Sequence, residues 1–285
     1  MFPCHRRRPS LPRRQRPRPL RPDAVHLAAK RFAPMTVAVQ VPLVVGAAAF
    51  GLVFGSFVTA LSYRLPRGIS IADGRSRCAL CGHALAARDL VPVLSWAAHG
   101  GRCRHCGGRV SPRYPAIELV SMLLFMCAAI VVSDPVQVTL LLAMTPPLLA
   151  LAVIDLEQRR LPNILIAVLA PLLLLWRWRT GGDFPTGVGV ALAIFLAATA
   201  LNAAMRRVAP DAPPLLGGGD GKLMAGAALA LPLPQYFLFM TVAGLFGLTL
   251  GVIWRWQKGE PRFPFGPAIV SALWLVLAAG RFLPF

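Results

Sequence analysis

Eight stretches of the chain are apolar for long enough to form membrane helices, at roughly 36–62, 115–133, 136–154, 162–178, 187–205, 222–232, 234–254 and 265–280. A run of about 20 residues with few charges covers about 30 Å of hydrocarbon as a helix, the form in which a single segment satisfies its own backbone hydrogen bonds in lipid. The pattern predicts an all-α polytopic membrane protein with about eight transmembrane helices. The sixth run, Lys222 to Pro232, is short and ends in Pro, so a half-helix facing protein or water is expected there.

Composition agrees with the pattern: 56% of the 285 residues are hydrophobic and 14% charged, with a mean hydropathy of +0.62, well off the soluble average. The formal net charge of +19 suggests a polyanion partner only until the charges are located. Residues 1–34 hold ten Lys/Arg against one acid, Asp23, and the rest of the chain holds 20 against 10. Half of the basicity is therefore one Arg/Pro-rich tail, too polar to pack and expected to be disordered.

The other half follows the rule that cytoplasmic connections are Lys/Arg-rich. If residues 63–114 are cytoplasmic, so are Arg159, Arg160, Arg206, Arg207, Lys222 and the segment from Arg255 to Arg262, while Asp134, Asp183, Arg177, Arg179 and Arg281 fall on the opposite side. Tyr63-Arg64 then anchors the first helix at the interface. No nucleic-acid partner is expected; the partners are membrane lipids and the substrate. A translocated tail of net charge +9 conflicts with this orientation, and the conflict disappears if translation begins at Met35, because Met35 to Gln40 carries no charged side chain. A genuine tail with another orientation or an extra membrane pass, and a nucleic-acid-binding arm, are the other readings of residues 1–34.

The one sizeable extramembrane segment, Leu65 to Tyr114, is rich in Gly, Arg and Cys and too small to hold a core without a staple. It contains Cys78-Ala-Leu-Cys81, then 21 residues, then Cys103-Arg-His-Cys106, each pair followed by a Gly, Gly82 and Gly107. Four thiolates at this spacing predict a closed structural zinc site of zinc-ribbon type, whose binding energy folds the loop. A redox pair and unmetallated thiols are the other readings, and His83 and His105 are expected outside the ligand set. Cys127, inside an apolar run, reads as a small buried hydrophobe.

Two carboxylates stand at membrane edges. Asp155 ends the third run in Ala-Val-Ile-Asp-Leu-Glu-Gln-Arg-Arg-Leu-Pro, and Asp220 lies in Leu-Gly-Gly-Gly-Asp-Gly-Lys-Leu at the mouth of the sixth. An ionisable residue at membrane depth reads as functional by default, although Asp155 paired with Arg159 or Arg160 is the plainer alternative. Gly217 and Gly219 allow positive φ and close backbone approach. The run is no phosphate-binding loop, since Gly-Lys is followed by Leu instead of Ser/Thr.

Two carboxylates that share one proton suffice for peptide hydrolysis, the ionised one activating water and the protonated one donating to the carbonyl oxygen. Helix ends suggest a division of labour: Asp155 at a C-terminus would hold the proton and Asp220 before an N-terminus would be the base. Glu118, near the start of the second helix, is expected in a structural ion pair.

These residues together resemble the bacterial type IV prepilin leader peptidases, Gly-x-Gly-Asp intramembrane aspartyl proteases, over most of 46–223. The resemblance is carried by Gly55-Ser-Phe-Val-Thr-Ala-Leu-Ser-Tyr-Arg-Leu-Pro66, the two Cys-x-x-Cys pairs, Val91-Pro-Val-Leu-Ser-Trp96, Ser111-Pro-Arg-Tyr-Pro115 with Glu118, Asp155 with Leu161-Pro162, and Gly217-x-Gly-Asp220-x-Lys222-Leu. It implies Asp155 and Asp220 as catalytic residues and cleavage of type IV prepilin or pseudopilin leaders after a Gly and before a residue that is usually Phe. It also implies N-methylation of the new terminus with S-adenosylmethionine, attributed to the cytoplasmic loop, and a place in the bacterial inner membrane.

Thr59 stands where the family usually has Asn, and Asn163 where it often has Asp. The organisation expected is a tail at 1–34, a first transmembrane helix at 35–62, a cytoplasmic Cys4 zinc loop at 63–114, and a transmembrane aspartyl protease bundle at 115–285. A zinc-ribbon membrane transporter or assembly factor with proton-relay carboxylates is the alternative; it explains the metal and Asp155 but not the glycine loop.

Overall fold

A computed structural model describes residues 37–71, 74–210, 216–260 and 262–280, with side chains from Val41 onward. The expectations for the tail 1–34 and for a start at Met35 lie outside the described residues. Val41–Phe285 forms one compact unit. Among the described residues there are nine α-helices: α1 Val37–Arg64, the short α2 Leu94–Ala98, α3 Arg113–Val131, α4 Pro135–Gln158, α5 Asn163–Arg179, α6 Phe184–Val208, α7 Gly218–Ala230, α8 Leu233–Lys258 and α9 Gly266–Ala279.

All but α2 coincide with the eight apolar runs. Five of them, α1, α3, α4, α6 and α8, are long and apolar enough to cross a membrane, while α5, α7 and α9 have 17, 13 and 14 residues. The protein is a multi-pass membrane protein, and the sixth run is the short helix expected. Local chemistry sets the helix starts. The Asp134 carboxylate accepts from the Val136 and Gln137 amides at the head of α4, and Asp183 accepts from Thr186 at the head of α6. Each has Pro just inside, where the missing N–H costs nothing.

The centre of the bundle is α4, which packs on α3, α5 and α9. Its most apolar stretch is 67% buried, against 22% for α1, 17% for α8 and 6% for α6, so the last three face lipid along most of their surface. Leu141, Met144, Leu148, Leu151 and Ile154 of α4 meet Ile269, Leu273 and Leu277 of α9 in one core. At mid-depth the Trp274 indole donates to the Thr145 hydroxyl at 2.9 Å, and that hydroxyl donates to Leu141 O at 2.7 Å.

Helix α1 meets α3 through Gly51 and Gly55, one turn apart. A Cβ at Gly51 would lie 2.7 Å from Met122 Cα and one at Gly55 2.6 Å from Glu118 Cα, so the helix backbones touch, the contact that small residues permit in lipid. Thr59, the departure from the resembled signature, is buried on α1 with its hydroxyl donating to Ser56 O. Cys127 is exposed on α3, which corrects the expectation of a buried position; an apolar helix face turned to lipid accepts a thiol as readily as a core does.

At the end of the bundle away from the aspartates, Arg177 is buried to 4% exposure. Its guanidinium donates to Asp183 O at 2.6 Å and to Leu231 O at 3.3 Å, the carbonyl just past the end of α7. Gly182 and Gly187 make room for it, since a Cβ at either would fall within 2.8 Å of its side chain. Arg177→Met is expected to lower stability by about 2–4 kcal/mol, because two carbonyls lose a charged donor. A shift in the thermal unfolding midpoint in detergent reads it, and an unchanged midpoint would contradict it.

Candidate active site

A cavity of about 500 Å³ opens at one end of the bundle. Its walls are Leu65 and Pro66 after α1, Asp155 with Arg159 to Asn163 at the α4–α5 junction, and Gly217 to Asp220 at the head of α7. The structure thus brings together the two carboxylates that the sequence singled out, 65 residues apart along the chain.

Asp155 sits one turn before the end of α4, where Arg159 adopts φ +54° and donates its amide to Asp155 O. Its side chain is 6% exposed and accepts the Gly266 N–H on Oδ2 at 2.8 Å. Gly266 opens α9, and a Cβ there would stand 2.7 Å from that same oxygen. An ion pair with Arg159 is not what holds Asp155. Arg159 instead pairs with Glu260 and holds that exposed carboxylate below its usual range.

Asp220 lies in the first turn of α7, where its carboxylate turns back so closely on Gly217 that a Cβ would strike Oδ2. Gly219 lies against the turn after Asp155: a Cβ there would be 2.6 Å from Leu161 Cβ. Neither glycine uses positive φ; close approach is what both positions require. Lys222 donates to Asn163 Oδ1 at 2.8 Å and so ties the two motifs together again. Asp155 faces the N-terminal amide of α9 and Asp220 stands in the first turn of α7, so helix ends no longer separate the two carboxylates in the way the sequence suggested.

Just outside the cavity, the Arg113 guanidinium grips Glu157 and donates to the Ser62 hydroxyl at 2.8 Å, joining α1, α3 and α4 within two residues of Asp155. Glu118, 7% exposed, corrects the expectation of an ion pair: its Oε2 accepts the Val93 N–H at 2.7 Å. Val93 has φ +60°, an uncommon conformation for a β-branched residue. The Glu118 carboxylate therefore docks the Val91–Trp96 segment onto α3. No sequence signal announced Gly266 or this strut, because both are long-range contacts to single backbone amides.

In the loop, the Sγ atoms of Cys78, Cys81, Cys103 and Cys106 lie within 4.8 Å of one another, a cluster that could hold a metal. Two equivalent knuckles build it. Gly82 N donates to Cys78 O and Cys78 N to His83 O; Gly107 N donates to Cys103 O and Cys103 N to Gly108 O. Gly82 and Gly107 have φ +69° and +67°, the left-handed turn each knuckle needs. Backbone amides of Cys81 and Leu80 lower the Cys78 thiol to about 7, while desolvation and the neighbouring thiols push Cys106 in the same cluster up to about 11. The donor set and turns fit a zinc-ribbon-like loop, and the stacked His83 and His105 rings stand outside the cluster.

Two family profiles match in tandem, the bacterial peptidase A24 N-terminal domain over residues 49–132 and the type IV leader peptidase family over 140–252. A prepilin leader peptidase/N-methyltransferase of Bacillus subtilis (strain 168) is 31% identical over 78% of this chain and 88% of its own. The enzyme of the same name from Aeromonas salmonicida (strain A449) is 31% identical over 81% and 89%. The chain belongs to the type IV leader peptidase family.

A type 4 prepilin-like proteins leader peptide-processing enzyme of Escherichia coli O78:H11 is 30% identical over 77% of this chain and 87% of its own. No solved structure matches. The leader peptidase profile spans both Asp155 and Asp220, and the N-terminal profile spans the four cysteines and the α1–α3 contact.

Proposed function

We propose that the protein removes the leader from type IV prepilins or pseudopilins, with Asp155 and Asp220 as the catalytic pair. The observation that carries this is that both carboxylates line one open cavity at the end of the bundle. Like charges facing one cavity share a proton when substrate and water bring them together, so the pair works as one ionised and one protonated carboxyl. The ionised member takes a proton from a water molecule as it attacks the scissile carbonyl, and the protonated member donates to the carbonyl oxygen. The resulting tetrahedral intermediate collapses as the amine leaves with a proton.

A Gly before the bond suits a cavity walled by Gly217 to Gly219, where backbone meets backbone. The cavity, the zinc loop and the Arg-rich connections would face the cytoplasm at the inner membrane, a sidedness that the distribution of charge supports. In the loop, zinc held by Cys78, Cys81, Cys103 and Cys106 is structural. The Bacillus subtilis and Aeromonas salmonicida relatives are named N-methyltransferases as well, so methylation of the new terminus is part of the proposal. S-adenosylmethionine would supply the methyl group, and no residue is assigned to hold it. A proton-relay transporter gives no reason for the glycine-walled cavity.

Incubating membranes that contain the protein with a prepilin tests the reading: leader loss is expected, and an uncut prepilin would refute it. Gly266→Ala should cut the rate about 10- to 100-fold, since its Cβ displaces the Asp155 carboxylate. Accumulation of the variant in membranes separates this from misfolding, and wild-type cleavage would contradict it.

A further inference from the structure

Asn202 lies on α6, the least buried of the five long helices, on the stripe that faces inward with Gly187, Ala191, Ile194 and Ala198 at spacings of three and four. Ala198 Cβ stands 3.2 Å from the Cβ position of Gly221, so this stripe runs directly against the head of α7. One turn further on, the Asn202 amide donates to Leu216 O at 2.8 Å, and its Oδ1 accepts from Leu216 N at 3.3 Å. A carboxamide on a lipid-facing helix is costly unless its donor and acceptor are both used. Here both go to the backbone of the residue that leads into Gly217 to Asp220.

The side chain therefore pairs with Leu216 as a neighbouring strand would, engaging both backbone groups of that residue. The far end of the same turn is held independently, by Lys222 on Asn163. Between the two tethers stand Asp220 and four glycines, Gly217, Gly218, Gly219 and Gly221, which supply no side-chain packing of their own. We propose that Asn202 is a positioning residue for Asp220, fixing the entry to the glycine turn and so the place at which the carboxylate enters the cavity.

This rests on the two-aspartate reading of the cavity. Asn202→Leu keeps the shape and suits a membrane helix, and Asn202→Ser leaves a hydroxyl that cannot bridge both backbone groups. With purified full-length protein and a prepilin, either variant is expected to lower kcat about 10- to 100-fold, with any rise in KM smaller than that fall, because Asn202 touches no substrate and acts through the place of the Asp220 carboxylate.

Wild-type kcat in a variant that accumulates would overturn the proposal. A rise in KM alone would also overturn it, by making Asn202 a substrate contact. So would failure of both variants to accumulate, which would make it a folding residue. Asp155→Asn and Asp220→Asn run in parallel keep the two ideas apart: if those cleave, the catalytic reading fails, and if they are inert while the Asn202 variants are normal, only the positioning role fails.

Discussion

Replacing Asp155 or Asp220 by Asn is expected to reduce prepilin cleavage by about 10³-fold or more while the protein still accumulates in membranes. The size follows from what is lost. General acid–base transfer contributes about 10²–10⁴ for one group, and a pair that shares a proton acts as a unit, so removing either member removes both functions. The change should spare the fold. Asn is isosteric, and at position 155 its carbonyl oxygen still accepts the Gly266 amide. Gel-shift or mass analysis of the prepilin reads cleavage, and near-normal processing by either variant would sink the assignment.

Changing any of Cys78, Cys81, Cys103 or Cys106 to Ser is expected to remove a bound zinc, present at about one per chain in the parent, and to unfold the loop while leaving the bundle intact. Structural zinc in small peptides contributes about 10–16 kcal/mol of apparent binding energy, which becomes folding energy when no metal-free fold exists. This loop has little else. Within residues 74–112 only Gly101 and Cys103 are buried, and two isolated β-bridges, Arg77 to Ala84 and Arg102 to Arg109, frame the knuckles.

The bundle has its own core on α4 and α9 and is expected to keep it without the metal. Elemental analysis of protein purified without chelators, with limited proteolysis of the loop before and after metal removal, checks both halves. Metal-free protein with a protease-resistant loop would refute the site.

Hydrophobic run length decided the helices. A segment that must satisfy its backbone inside lipid has only helix available, so all eight runs became helices and even the short, Pro-ended sixth was legible. The chemistry-bearing motifs were legible for a related reason. The cysteine knuckles and the Gly-rich turn before Asp220 are local, each closed by hydrogen bonds within a few residues, and local geometry is written in spacing. Where the sequence reading went astray, burial or pairing depended on distant partners. Cys127 looked buried because its run is apolar, yet an apolar face can point to lipid. Glu118 looked like an ion-pair member, yet its partner is the amide of Val93, 25 residues earlier.

Only the tertiary structure brought Asp155 and Asp220 to one cavity. That juxtaposition needs Gly219 to seat α7 on the turn after Asp155, and it needs α9 to return 111 residues later and present the Gly266 amide. The amides of Gly266 and Val93 and the backbone of Leu216 leave no mark in the sequence, because every residue but Pro carries the same groups and only packing selects which one meets a given side chain. The amino-acid sequence by itself determined where the eight bundle helices form and which residues are candidates for the chemistry. Which carboxylate meets which amide was decided by the order in which α4, α7 and α9 pack, a property of contacts across the bundle that no local pattern contains.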